Sequence, residues 1–179
     1  MRDFLDLLFP RTCCTCDRPL VAKEQYLCLH CRSALPYYDD MTTLEQKLAG
    51  RLPNIPVFAL LKFLPGGMVK QLLHEIKYRG NTDLAVEFGK IMGHKLIAED
   101  FTTQVDVLVP IPLHPKRQRS RGYNQSERIA AGISAVTGIP CDNQLLTRTK
   151  NSRTQTHGHR GERWHNVQGL SLIHISEPT

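Results

Sequence analysis

The N-terminal region contains two Cys-x-x-Cys motifs, Cys13-Cys-Thr-Cys16 and, after eleven further residues, Cys28-Leu-His-Cys31. Each motif can turn two thiolates toward one point, and two such motifs supply the four sulfur ligands that zinc prefers in structural sites. The spacer between them can form a hairpin. We therefore predict a closed structural zinc site made by Cys13, Cys16, Cys28 and Cys31, with no open position for catalysis.

Two cysteines, Cys14 and Cys141, remain outside these motifs. Using Cys14 in place of Cys13 would leave only one residue inside the first turn, so we expect Cys14 to point away from the metal. The apolar stretch from Phe4 to Phe9 is too short for a membrane span and has no signal-peptide cleavage site. We accordingly expect a cytoplasmic protein without membrane insertion, in which the cysteines bind metal rather than form disulfides.

Composition is that of a soluble globular protein, with 41% hydrophobic and 22% charged residues. These values argue against collagen-like, coiled-coil and largely disordered chains. The formal net charge is +6, and the basic residues are clustered. This clustering favours a partner or substrate rich in phosphate.

Hydrophobic periodicity predicts alternating strands and helices after the cysteine motifs. Strands are predicted over 55–64 and 105–110, and amphipathic helices over 68–79, over 83–99 and from Ser126 onward. This order is typical of an α/β sheet. Because ligands of such sheets bind beyond the carboxyl ends of strands, chemistry is expected in the segment that follows residue 110.

That segment is strongly basic, with Lys116, Arg117, Arg119 and Arg121 within six positions. Gly122 permits a tight turn, and Asn124 can cap the next helix with Glu127 as its capping-box partner. A cationic loop that leads into a helix N-terminus favours anion binding, because free N–H groups and the helix dipole point at it. A basic loop that is merely solvated remains an open alternative.

The combination of motifs resembles the ComF family of bacterial competence and DNA-utilisation proteins. The resemblance rests on the four-cysteine module, Lys77-Tyr-Arg-Gly80, Val109-Pro-Ile-Pro112 and Arg121-Gly-Tyr-Asn-Gln-Ser126, and it extends from Leu7 to about Gly169. It implies a zinc ribbon in residues 1–36, a linker in 37–54 and an incomplete type I phosphoribosyltransferase-like domain in 55–169. The implied fold class is an α/β parallel sheet with flanking helices.

The resemblance also implies a reaction and its ligands. A phosphoribosyltransferase displaces pyrophosphate from phosphoribosyl pyrophosphate, with Mg²⁺ balancing the charge. The residues that would hold the pyrophosphate are Lys116, Arg117, Arg121, Gly122, Tyr123, Asn124, Gln125 and Ser126. A mobile basic loop that would close over the substrate includes Arg153, Gln155, Thr156, Arg160 and Arg163; a solvated loop stays open here as well.

One family signature, a pair of acidic residues followed by Thr-Thr-Gly, does not occur in this sequence. Residues 37–43 imitate it, but they lack the glycine and are expected to be a coincidence. Residues 170–179 resemble a translated sequencing adapter, so we predict a non-native tail and a C-terminally truncated chain; a true edge strand is the alternative for this segment. Enzymatic activity therefore stays open. The alternative is a non-catalytic module of the competence machinery that binds single-stranded DNA, in a salt-dependent manner, or competence proteins.

Overall fold

The structure is a computed structural model that describes residues 10–21, 23–38, 44, 46, 56–148 and 171–173. The chain forms two compact units, Met1–Arg79 and Gly80–Thr179. This division does not test the boundaries that the sequence predicts for the ribbon, the linker and the domain.

The first unit begins with the cysteine-rich hairpin. Thr12 and Pro19 form an antiparallel bridge, and the Leu20 N–H donates to the Arg11 carbonyl at 2.8 Å. Asp17 lies between the two arms in the left-handed region, with φ 57°, a conformation that Asp tolerates better than most residues. A short helix, α1, spans Leu29–Ser33 and carries the end of the second motif.

The remainder of the first unit contains helix α2, Met68–Tyr78, close to the bounds that the periodicity predicts. Its buried face is formed by Val69, Leu72 and Ile76. The strand expected over 55–64 is not formed in the described part, 56–64, where Leu61 makes a single antiparallel bridge to Tyr37. Pro36, the neighbour of Tyr37, has no N–H to donate, which limits any extension of this pairing.

The second unit is built on two helices, α3 (Thr82–Ala98) and α5 (Gln125–Thr137). The bounds of both agree with the predicted helices. Asn81 caps the start of α3, and Gly138 caps the end of α5. The helices cross at Gly89 and Gly132, where their backbones come into contact. The buried apolar residues contributed by the two helices are Leu84, Ala85, Phe88, Leu96, Ala130 and Ile133.

Between these helices in the chain comes α4, Pro115–Arg121, where the sequence predicts a loop. The helix begins at a His114 cap with proline in its first turn, and it ends at Gly122, whose φ is 82°. Proline is favoured in a first turn and glycine at a left-handed C-terminal cap, so the local sequence favours a helix. The four basic side chains therefore project from a short helix rather than from a loop.

The strands of the second unit are short. A 3-10 helix at Phe101–Gln104 precedes the predicted strand 105–110, which forms one parallel bridge, between Leu108 and Cys141. Strand β1, Leu146–Arg148, pairs antiparallel with β2, Ser171–Ile173, with Thr147 opposite Leu172. Within the described residues the expected parallel sheet is thus limited to a single bridge, and the only sheet is antiparallel and two-stranded.

None of the helices in the described part of the chain has the length and apolar character that crossing a membrane requires.

Candidate metal centre and anion-binding segment

The four predicted zinc ligands come together in the structure. The Sγ atoms of Cys13, Cys16, Cys28 and Cys31 all lie within 4.8 Å of one another. Three of these cysteines are buried, and Cys16 is half-buried. Four thiol groups in mutual reach are the donor set of a structural zinc site, so the residues fit the metal.

Local hydrogen bonds shape both cysteine turns. In the first, the Cys13 N–H donates to the Arg18 carbonyl at 2.8 Å, and the Asp17 N–H donates to the Cys13 carbonyl at 2.9 Å. In the second, the Cys31 N–H points at the Cys28 Sγ at 3.5 Å. Each pair of sulfurs is therefore positioned by a backbone turn of a few residues.

Burial and hydrogen bonds shift the pKa values of groups in the sulfur cluster. Burial raises the pKa of the Cys31 thiol to about 12. A hydrogen bond from the Arg18 backbone lowers the pKa of Cys16, and the Cys16 sulfur in turn raises the pKa of the Arg18 guanidinium. Because zinc binds thiolates, metal binding must displace protons from this cluster.

Cys14 is excluded from the ligand set, as the sequence predicts. Its N–H donates to the Tyr26 carbonyl at 3.0 Å, which ties the first motif to the segment before the second. Burial, and then the neighbouring Cys13, raise the pKa of the Cys14 thiol to about 12. Cys14 is accordingly a neutral, half-buried thiol at physiological pH.

Sequence reasoning missed one residue of the ribbon, Glu24. Its two carboxylate oxygens accept hydrogen bonds from the backbone N–H groups of Val21, at 2.9 Å, and Leu29, at 2.6 Å. These bonds lower the pKa of Glu24, the Val21 bond most. The only signal in the sequence was a carboxylate inside the spacer, four residues before the second motif.

In the second unit, the basic residues of α4 fall into two pairs. Arg117 and Arg121 are half-buried, whereas Lys116 and Arg119 are exposed. The Arg121 Nη1 donates to the Gln125 side-chain oxygen, which joins the end of α4 to the first turn of α5. Arg121 therefore lies beside the N-terminus of α5, and Arg117 precedes it by about one helical turn on α4.

The predicted cap Asn124 is almost fully buried, with 1% of its surface exposed. Its Oδ1 accepts from the Ser126 N–H at 3.0 Å, and its Nδ2 donates to the Ile111 carbonyl and to the Glu127 carboxylate, both at 3.0 Å. Glu127 thus contacts the cap through the asparagine side chain, whereas the predicted capping box would use the Asn124 backbone N–H. Both polar ends of this side chain are engaged within the protein, so Asn124 acts as the anchor of the segment.

The remaining predicted site residues are Gly122 and Tyr123, which follow α4, and those of the predicted mobile loop. Gly122 provides the left-handed end of α4, and Tyr123 follows it with a buried hydroxyl that has no hydrogen-bond partner among the described residues. Burial raises the pKa of Tyr123. The proposed mobile loop, with Arg153, Gln155, Thr156, Arg160 and Arg163, lies outside the described residues.

Comparison with known proteins finds similarity to a zinc-ribbon family and to competence and DNA utilization proteins. A model described as a double zinc ribbon domain matches residues 4–41. The chain is 29% identical to competence protein F of Haemophilus influenzae, over 86% of this chain and 62% of that protein. It is 23% identical to DNA utilization protein YhgH of Salmonella typhi, over 96% of this chain and 86% of that protein. These similarities support membership of the ComF family.

Other relatives agree with this assignment. The DNA utilization protein YhgH of Escherichia coli K12 is 23% identical, over 83% of this chain and 71% of that protein. No solved structure matches the chain. The ComF ribbon of this protein therefore combines a matched zinc-ribbon sequence with a sulfur cluster whose geometry suits a structural zinc ion.

Proposed function

We propose that this ComF-family protein binds a phosphorylated ligand of the phosphoribosyl pyrophosphate type, with Mg²⁺, and that this binding serves DNA uptake or utilisation. The observation that carries the proposal is the position of Arg117 and Arg121. Both are half-buried on α4, and Arg121 is bonded to Gln125 at the α5 N-terminus that Asn124 caps. Guanidinium groups bind phosphate oxygens through paired, charge-assisted hydrogen bonds, and helix N-termini add free N–H groups.

A third arginine supports the same location. Burial, and then the nearby charge of Arg117, lower the pKa of Arg148 on β1. Bringing like charges together in a partly desolvated place is unfavourable, and a bound anion would offset this repulsion. Arg148 is therefore a candidate third cation for the ligand.

The course of the chain is also consistent with a phosphoribosyltransferase-like arrangement. Residues 105–110 lead into α4 and α5, and the chain then returns to form a parallel bridge from Cys141 to Leu108. A parallel return through a helix is the repeating unit of open α/β sheets, where ligands bind beyond the carboxyl ends of strands. The basic helix α4 lies at that end of the 105–110 segment. If the protein is an enzyme, the implied reaction displaces pyrophosphate from the phosphoribosyl donor.

Calorimetry with the zinc-loaded chain tests the proposal. Phosphoribosyl pyrophosphate is titrated in the presence of Mg²⁺ into the wild-type chain and into Arg117→Ala and Arg119→Ala. Loss of a hydrogen bond to a charged group costs about 1.5–3 kcal/mol, so Arg117→Ala should weaken binding by about 10–100-fold. Arg119→Ala removes the same charge from an exposed position of α4 and should leave the affinity close to that of the wild type. Absence of binding, or equal losses in both variants, would overturn the proposal.

A second candidate function is non-catalytic binding of single-stranded DNA. The observation that favours it is the outward pair Lys116 and Arg119, both exposed on α4. Phosphate contacts made by such side chains make binding strongly salt-dependent. Anisotropy with a labelled DNA strand separates the two functions, because Arg119→Ala should then weaken DNA binding and reduce the slope of log K against log salt by about 1. If DNA binds equally well to the wild type and to Arg119→Ala, this second function is excluded for α4.

A further inference from the structure

One acidic residue of the ribbon, Glu24, makes three hydrogen bonds to other parts of it. Its carboxylate accepts the N–H groups of Val21 and Leu29, which lie on opposite sides of it in the sequence. Its backbone carbonyl accepts a longer hydrogen bond, 3.4 Å, from the Arg11 side chain. Glu24 therefore links the first arm of the hairpin, the spacer and the start of α1.

The hydrogen bond from the Leu29 N–H to Glu24 stabilises the start of α1. Leu29 is the first residue of α1, and Cys28 is its N-cap. With only five residues, α1 is far shorter than a helix that is stable by itself. Its first N–H groups need acceptors, and a negative charge near them is stabilising.

Two acceptors meet this need at the N-terminus of α1. Glu24 accepts the Leu29 N–H, and the Cys28 sulfur accepts the Cys31 N–H at 3.5 Å. The ligands Cys28 and Cys31 thus lie at the two ends of one turn, and the Glu24 carboxylate holds that turn from outside. Glu24 itself is not in the set of groups that could hold the metal.

We infer that Glu24 is a positioning residue for the zinc site, which sets the turn carrying Cys28 and Cys31 in place to meet Cys13 and Cys16. It acts by preorganisation, because ligands that are already oriented lose less conformational entropy when the metal binds. This role goes beyond the phosphate-binding function proposed above and does not depend on it.

The test compares zinc affinity in three variants of the full chain. Affinity is measured by competition with a chromophoric chelator for Glu24→Ala, Glu24→Gln and the control Gln25→Ala, whose side chain is exposed. Loss of an outer-shell partner typically weakens metal binding by about 10–100-fold, and we expect Glu24→Ala to fall in this range. Glutamine keeps one acceptor oxygen for the two N–H groups, so Glu24→Gln should recover part of the affinity.

Cobalt substitution provides the readout that separates positioning from ligation. At saturation, the Co²⁺ absorption of Glu24→Ala should equal that of the wild type, since the four sulfur ligands are unchanged. A changed cobalt spectrum would make Glu24 part of the ligand set and would overturn the inference. Wild-type affinity in Glu24→Ala, or a Glu24→Gln variant no better than Glu24→Ala, would overturn it too. If Glu24→Ala does not fold, weaker binding by Glu24→Gln than by Gln25→Ala still decides in favour.

Discussion

Gly89 of α3 and Gly132 of α5 touch through their backbones where the two helices cross. A methyl group placed on Gly132 would lie 2.8 Å from the Gly89 Cα and closer still to the Val86 carbonyl oxygen. Real side-chain carbons do not approach backbone atoms so closely, so the helices could accept the methyl only by moving apart. Interiors are packed densely enough that such a shift affects the neighbouring contacts.

Gly132→Ala should therefore destabilise the second unit. Overpacking typically costs about 1–3 kcal/mol, and here no side-chain rotation can relieve the clash because it involves backbone atoms. Urea unfolding of the zinc-loaded chain, followed by far-UV circular dichroism, measures the change in the free energy of unfolding. Gly93→Ala is the matched control: its methyl would lie 3.2 Å from the Val136 Cβ, and alanine gains about 1 kcal/mol of helix propensity. A Gly132→Ala variant at least as stable as Gly93→Ala would contradict the tight crossing.

Replacement of one zinc ligand should remove the metal, whereas replacement of its neighbour should not. We expect about one zinc per chain in the wild type and in Cys14→Ser, because four cysteines complete the tetrahedral site without Cys14. Cys28→Ser leaves three sulfur ligands and disturbs the cap of α1. Metal analysis after gel filtration in a weak chelator should find little zinc in this variant. Retention of zinc by Cys28→Ser, or its loss from Cys14→Ser, would show that the ligand set is different.

Zinc affinity should fall as the pH falls. Burial raises the pKa of Cys31 to about 12, so this thiol is protonated at neutral pH unless the metal is bound. The zinc-bound chain then carries fewer protons than the zinc-free chain, and affinity must increase with pH. Each displaced proton corresponds to about a tenfold change per pH unit. Chelator competition between about pH 8 and pH 6 measures the slope, and a flat profile would contradict proton displacement.

Asn124→Ala should destabilise the second unit more than loss of an ordinary helix cap. The substitution removes a buried side chain that donates to the Ile111 carbonyl and accepts from the Ser126 N–H, and a buried polar group left without its partner costs about 1–3 kcal/mol. Asn81→Ala is the matched control, because Asn81 caps α3 through a single bond to the Leu84 N–H at 3.2 Å. Its loss should cost about 1 kcal/mol. Equal unfolding free energies for the two variants would show that burial adds nothing at position 124.

Asn124→Asp provides a sharper form of the same test. The aspartate keeps an acceptor for the Ser126 N–H, but it has no donor for the Ile111 carbonyl and places a second negative charge against Glu127. At neutral pH we expect Asn124→Asp to be less stable than the wild type, and to recover part of this loss in acid, where a carboxyl group becomes protonated. Thermal unfolding at two pH values measures this recovery. If Asn124→Asp is as stable as the wild type at neutral pH, only the acceptor for the Ser126 N–H contributes to stability at this position.

Much of the helical structure could be predicted because its signals are local. Apolar spacing, the caps at Asn81 and Asn124 and the stop at Gly138 all act within a few residues of the chain. The basic segment was predicted wrongly as a loop, although Pro115 and Gly122 favour the ends of a short helix. The strands were the least predictable elements, because a strand needs a partner elsewhere in the chain. The segment 105–110 therefore forms only one bridge, at Leu108.

Cysteine spacing alone determined the ligand set of the zinc site, since each Cys-x-x-Cys turn positions two sulfurs through its own backbone. The tertiary structure alone decided how those turns and helices are held in place. Glu24 bonds to the N–H of Leu29, the buried Asn124 side chain bonds to the carbonyl of Ile111, and Gly132 of α5 meets Gly89 of α3. These contacts join residues whose spacing in the chain follows no local repeat. They arise from burial and close packing, which no single segment of sequence specifies.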